Sequence, residues 1–244
     1  VKKYEKIDAG KLYHLKESDT YPANTFLHFS FEDYYDPNNM NFGALRVIND
    51  TVIKPNNGFG THPHINMEIL SYIVDGQLTH KDSAGNHEVL GRGCVQIISA
   101  GAGVTHSELN EQNESCRFLQ IWIKPERKDL PVRYDLHKYT ADERRNKILN
   151  IACSSKDKGD APLYVCQDFN AYVSELDDRA AKVTFELKKG RQAYILCFEG
   201  EVNIDNFPEL KERDSLKVFG ENSLVFSLSS ERAHFAIFEM AENK

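Results

Sequence analysis

The residues of this chain best suited to chemistry are histidines and carboxylates at short, regular intervals. His62-Pro63-His64 is followed by Glu68, and further along comes His106-Ser107-Glu108. On a strand, residues two apart project to the same side, so His62 and His64 point together, Glu68 shares their parity, and His106 and Glu108 form a second pair. Two such pairs on adjacent strands can converge on one ion. Imidazole nitrogens with one carboxylate oxygen suit a borderline divalent transition metal, whereas calcium or magnesium prefers mostly oxygen. Four protein ligands on an ion that accepts six leave room for water, O2 or a chelating substrate; a closed structural zinc site more often recruits cysteine. Spacing alone allows either Glu68 or Glu108 to be the carboxylate. An H-x-H pair by itself is a weak signal, and the combination carries the weight.

Short apolar runs must position these groups. They recur between Gly, Asn and Asp clusters, over Phe42–Ile48, Glu68–Val74, Cys94–Ile98, Arg117–Ile123, Ala171–Leu176, Ala193–Phe198, Leu224–Leu228 and Ala233–Met240. Strands of this length and spacing predict an all-β sandwich or barrel. Asp82 to Asn86 reads as a hairpin turn, and Ala100-Gly101-Ala102-Gly103 as a tight turn that delivers His106 into the interior. Thr140-Ala141-Asp142-Glu143 has the form of a capping box, so a helix over 140–149 is expected, followed by a polar stretch, Ser154 to Asp160. The joint between two β domains falls there. The halves also resemble each other: Ile69 to Leu78 and Ala193 to Val202 are both apolar runs closed by an acidic residue, glycine and one more position before an apolar one.

Composition narrows the function classes. The 244 residues are 41% hydrophobic and 27% charged, with a formal charge of −7, and no basic run is interleaved with aromatics. A phosphate-backbone binder is therefore not expected. The start, Val1 to Asp8, lacks the apolar core of a signal peptide and no run approaches a membrane span, so a soluble cytoplasmic protein without membrane partners is expected. Five widely spaced cysteines without a C-x-x-C encode neither a disulfide framework nor a thiolate metal site. His14, His28, His80, His87, His137 and His234 read as structural or solvated.

Gly60 to Tyr72 followed by Gly76, and Ile98 to Glu108, resemble the two motifs of the cupin superfamily in the form used by pirins. The resemblance is nearest to bacterial pirin-like quercetin 2,3-dioxygenases and extends to Asp82–Asn86, Gln120–Ile123, Arg133-Tyr134, Gln167-Asp168 and Gly200-Glu201. It implies two tandem cupin (double-stranded β-helix, or jelly-roll) barrels: a metal-binding one over 1–135, a linker with a short helix over 136–160, and a degenerate one over 161–244. It implies metal ligands at His62, His64, His106 and Glu108, with Glu68 behind them or as the alternative ligand. Fe(II) is the first choice of metal, with Ni, Mn, Co, Cu or Zn able to occupy the same donors. The implied reaction opens the ring of a flavonol such as quercetin with O2 and releases CO, with Glu108 taking the hydroxyl proton. The expected partners are thus a small aromatic substrate and O2. The alternative is a non-enzymatic metal-binding regulator acting through protein partners that the sequence does not identify.

Continuing the parity of His64 predicts that Leu70, Tyr72 and Val74 line an apolar pocket for a flat aromatic. The second half serves as an internal control. Aligning Gly200 on Gly76 puts Glu186, Lys188 and Gln192 at the positions of His62, His64 and Glu68. Aligning Gly220 on Gly91 puts Phe235 and Ile237 opposite His106 and Glu108. A lysine among would-be ligands repels a cation, so that half is expected to be metal-free.

Overall fold

The computed structural model describes residues 3–156, Gly159 and 161–242. The strands are β1 (Lys3–Ile7), β2 (Tyr13–Leu15), β3 (Asn24–Leu27), β4 (Leu45–Ile53), β5 (Asn57–His64), β6 (Glu68–Asp75), β7 (Gln77–Asp82), β8 (His87–Gly91), β9 (Cys94–Ser99) and β10 (Val104–Asn110). They continue with β11 (Cys116–Ile123), β12 (Arg133–Lys138), β13 (Leu149–Ser154), β14 (Tyr164–Val165), β15 (Phe169–Leu176), β16 (Lys182–Leu187), β17 (Arg191–Ile204), β18 (Ser215–Phe219) and β19 (Asn222–Ala241). The protein is all-β in class, and its residues divide into two compact units, Tyr13–Lys138 with Val165–Gln167, and the rest. Among the described residues no helix is long and apolar enough to cross a membrane.

The first unit is a jelly roll of two sheets, one ordered β12-β9-β6-β11-β4-β3-β2 and the other β5-β10-β7-β8. Its hydrocarbon core takes Ile53, Ile73, Cys116 and Phe118 from the larger sheet and Leu78 and Leu90 from the smaller. The second unit is one sheet, β1-β18-β17-β19-β15-β13-β14, with β16 added along β19. Strand β16 shows the alternation that drives such pairing: Val183, Phe185 and Leu187 are buried while Lys182, Thr184 and Glu186 are exposed. The duplicated acidic-Gly step has a backbone cause. Gly76 and Gly200 have φ of 72° and 70°, and a Cβ would stand 2.5 Å from the Ser115 carbonyl oxygen in one case and 1.8 Å from that of Arg232 in the other.

Several expectations change. Lys3–Ile7 pairs with β18, so the first strand belongs to the second unit, and β13 makes part of the expected linker a strand of that unit. Within the polar stretch, Asp157, Lys158 and Asp160 lie outside the described residues, as do Val1, Lys2, Asn243 and Lys244. The capping box forms, with Glu143 accepting from the Thr140 backbone N–H at 2.6 Å, yet the helix is only Ala141–Arg144. It stops because Arg145 is extended and Asn146, at φ 52°, donates its N–H to the Glu175 carbonyl instead.

The internal alignment also shifts. β16 pairs β19 as β5 pairs β10, and β17 joins both halves of β19 as β6 and β7 join β11 and β10. In that frame the turn at Gly220 matches the one after β9, and Phe185, Leu187, Leu224 and Phe226 take the places of His62, His64, His106 and Glu108. Glu186, Lys188, Gln192, Phe235 and Ile237 are not the counterparts. All four true counterparts belong to one buried hydrocarbon cluster.

Candidate metal centre

Strands β5 and β10 run antiparallel with His62 opposite His106 and Val104 opposite His64. Cross-strand neighbours approach closely, so the pairing brings together rings that lie far apart in sequence. The ring nitrogens of His62, His64 and His106 come within 4.8 Å of one another, and Nε2 of His64 lies 2.9 Å from Nε2 of His106. Two nitrogens at about 2.1 Å from one ion and at right angles would be about 3 Å apart, so this separation fits ligands of a single transition metal.

The chemistry of the donors agrees. A metal needs neutral imidazoles, and burial, reinforced by the neighbouring histidines, pushes His64 and His106 down to about 3. His62 is aimed by its own backbone: its Nδ1 sits 2.8 Å from the Gly60 carbonyl, which makes Nδ1 the donor and leaves the Nε2 lone pair free.

Neither carboxylate belongs to the mutually close set of ligand atoms. Glu108 borders the same cavity as His62 and His64. Burial raises its pKa, opposed by nearby His62 and by Gln120, whose Nε2 donates to both carboxylate oxygens at 2.9 and 2.7 Å. Gln120 is fixed in turn by Trp122, whose Nε1–H donates to Gln120 Oε1 at 3.0 Å, and the Trp122 ring stands edge-on to His64 at 5.0 Å. Glu68 is engaged elsewhere. It accepts from Ser99 Oγ and from the Cys166 backbone N–H at 3.1 Å, and Arg133 lies 3.8 Å away.

A cavity of about 510 Å³ opens beside the histidines, a size suited to a small organic ligand. Its walls include Tyr21, Phe31, Phe59, Phe118 and Trp122. Leu70, Tyr72 and Val74 are buried but do not line it. The parity argument fails because β5 and β6 lie in different sheets, joined by a turn in which Asn66 takes φ 50°. On β6 it is Ile69 and Ile73 that join the clusters containing Trp122 and Phe118, so the even-numbered residues occupy the opposite face.

The residue that sequence reasoning undervalued is His80. It is fully buried, its ring centre is 5.5 Å from that of His106, and it stacks on Tyr134 at 4.7 Å. Its signal was parity: His80 and Asp82 stand two apart on β7, directly across from Glu108 and His106. His234, by contrast, packs in the second unit against Phe198 with Nδ1 2.8 Å from Glu199.

Two jelly-roll domains, one with a cluster of histidines beside an aromatic-walled cavity, define a bicupin. The pirin family profile matches residues 14–123, and the quercetinase C-terminal cupin domain profile matches 152–240. The chain is 39% identical over 206 residues to the quercetin 2,3-dioxygenase of Escherichia coli K12, covering 83% of this chain and 85% of that protein. It is 39% identical over 194 residues to a pirin-like protein of Caulobacter vibrioides, covering 80% and 82%. The crystal structure of bacterial pirin YhhW from Escherichia coli in complex with nickel(II) superposes with a TM-score of 0.88 at 32% identity, covering 99% of this chain and all of that one. The chain belongs to the pirin family.

Proposed function

We propose that the chain is a metal-dependent dioxygenase that opens the ring of a flavonol such as quercetin with O2 and releases CO. The observation that carries this reading is the convergence of three imidazoles, two of which, His62 and His64, line an aromatic-walled cavity of about 510 Å³. The names of the relatives give the reaction class. His62, His64 and His106 would hold the metal, with Glu108 as the fourth ligand; the bonds of Glu68 to Ser99 and Cys166 support leaving it behind them. A bound divalent transition metal supplies Lewis acidity to a chelating hydroxy-ketone and a place for O2. Fe(II) is the metal implied by the resemblance, and nickel(II), which YhhW holds, suits the same donors, as do Mn, Co, Cu and Zn.

The chain's own residues do the rest. Phe31, Phe59 and Trp122 take the flat rings and keep water from them. Glu108, its pKa raised by burial, receives the hydroxyl proton of the substrate at a carboxylate oxygen, while Gln120 keeps that carboxylate in place through both oxygens. The substrate anion left behind is electron-rich enough to react with O2.

Metal analysis of protein made without a histidine tag tests the site: about one ion per chain is expected, and none in His106→Ala. Quercetin binding under anaerobic conditions, then O2 uptake with CO release, tests the reaction. Metal and quercetin binding without turnover under any reconstituted metal would leave the chain a binding protein.

A further inference from the structure

The three histidines are not equally anchored. His62 is held by the Gly60 carbonyl. His106 turns Nε2 toward His64, while its Nδ1 is buried and makes no hydrogen bond. His80 stands beside it with its own Nδ1 buried and likewise unbonded.

The protonation of each ring follows from its other contact. Asp82 Oδ2 lies 3.0 Å from His80 Nε2, and the remaining partners of that carboxylate are the backbone N–H groups of Ala84 and Asn86 and the Asn86 side-chain amide, all donors. An ionised carboxylate only accepts, so His80 carries a proton on Nε2, and the tautomer with that single proton presents a lone pair at Nδ1. For His106 to offer Nε2 to an ion, its proton must sit on Nδ1. In these tautomers one ring has a sealed donor and its neighbour a sealed acceptor, and neither atom has a partner in the structure.

We propose that Asp82, His80 and His106 form a relay when an ion holds His106 at Nε2: His80 Nε2–H donates to Asp82, and the two Nδ1 atoms, unbonded in the structure, close on each other with His106 donating, which makes His80 a positioning residue for the metal. The relay rests on the reading of His106 as a ligand. Strand register supplies it, since β7 sets Asp82 opposite His106, and Tyr134 holds the plane of His80 by stacking. Such a contact behind a metal-binding histidine fixes its tautomer and raises its basicity.

Nitrogen-15 NMR of histidine-labelled protein, metal-free and zinc-loaded, tests the relay without any variant. The expected result is His80 protonated at Nε2 alone in both states, and His106 protonated at Nδ1 when zinc is bound. Zinc competition against a chelator gives the second measurement. His80→Phe, which keeps the ring and its stacking but removes the acceptor, is expected to bind zinc about 10- to 100-fold more weakly. His80→Asn, which returns an acceptor near Nδ1, should recover much of that loss. Zinc uptake with His80 protonated at Nδ1, or wild-type affinity in a folded His80→Phe protein, overturns the relay alone. A wild-type chain that takes up no metal removes the ligand role of His106 and the relay with it.

Discussion

In the first barrel His62 faces His106 across the β5–β10 ladder; in the second, Phe185 faces Leu224 across β16–β19. The neighbouring strand contributes His80 in one and Ile204 in the other, opposite Glu108 and Phe226 respectively. One strand plan thus carries a polar interior beside a cavity and a solid hydrocarbon core. Packed apolar residues stabilise a barrel by burial, whereas clustered imidazoles without an ion cost desolvation and gain little. The plan itself does not require the histidines, which fits the ligand role proposed for them.

Exchanging residues between the two barrels tests this. His106→Leu, which imports the second barrel's residue, should abolish metal binding, read as a fall from about one ion per chain to none. The metal-free variant should melt no lower than metal-free wild type, because it trades a buried ring with one unbonded nitrogen for hydrocarbon. The reverse exchange, Leu224→His, should create no metal site and should destabilise the protein by about 3 kcal/mol in chemical denaturation, since the new ring finds no partner among Phe185, Phe226 and Ile204. Metal uptake by Leu224→His, or a large loss of stability in His106→Leu, would break the contrast.

A smaller effect is expected one step from the cluster. Gln120→Leu removes both hydrogen bonds that hold Glu108 but leaves the three imidazoles in place. Metal content should stay near one ion per chain while turnover falls about tenfold, in line with one to two lost hydrogen bonds to a charged group. If metal content fell with turnover, Gln120 would be a support of the whole site rather than of Glu108.

Much of this was legible in the chain because local spacing governs it. Short apolar runs between turn residues located β4, β6, β9, β11, β15, β17 and β19, and the H-x-H and H-x-E pairs located the cluster, since two-residue parity holds within a single strand. What failed needed information from outside a strand. Leu70, Tyr72 and Val74 were misplaced because parity does not survive the turn at Asn66. Lys3 finds its partner at Phe219, a pairing no local pattern announces. His80 read as structural or solvated because only the β7–β10 register reveals that it stands beside His106. The second-half alignment slipped by one hairpin because Gly220 and Gly91 sit in similar sequence surroundings while serving different turns.

The weakest effect separates a metal that serves chemistry from one that holds the barrel together. Cys116 lies in the first barrel's core with Ile53, Ile73 and Phe118, and burial pushes its thiol from the ordinary 9.0 up to about 12. Cys197 is buried in the second barrel's core, while Cys166 is half-exposed. A thiol must ionise to react, so at pH 8 an aromatic disulfide reagent should label Cys166 and leave Cys116 and Cys197 untouched. The unfolded chain releases the Cys116 proton at lower pH than the folded one. Its contribution to stability is therefore full below about pH 9 and is lost as the pH climbs toward 12. If the histidine cluster belongs to function, stripping the metal with a chelator should leave both buried thiols equally protected, because a hydrocarbon core holds the first barrel as it holds the second. Selective labelling of Cys116 after chelation would make the metal a structural clamp in one barrel that the other does without.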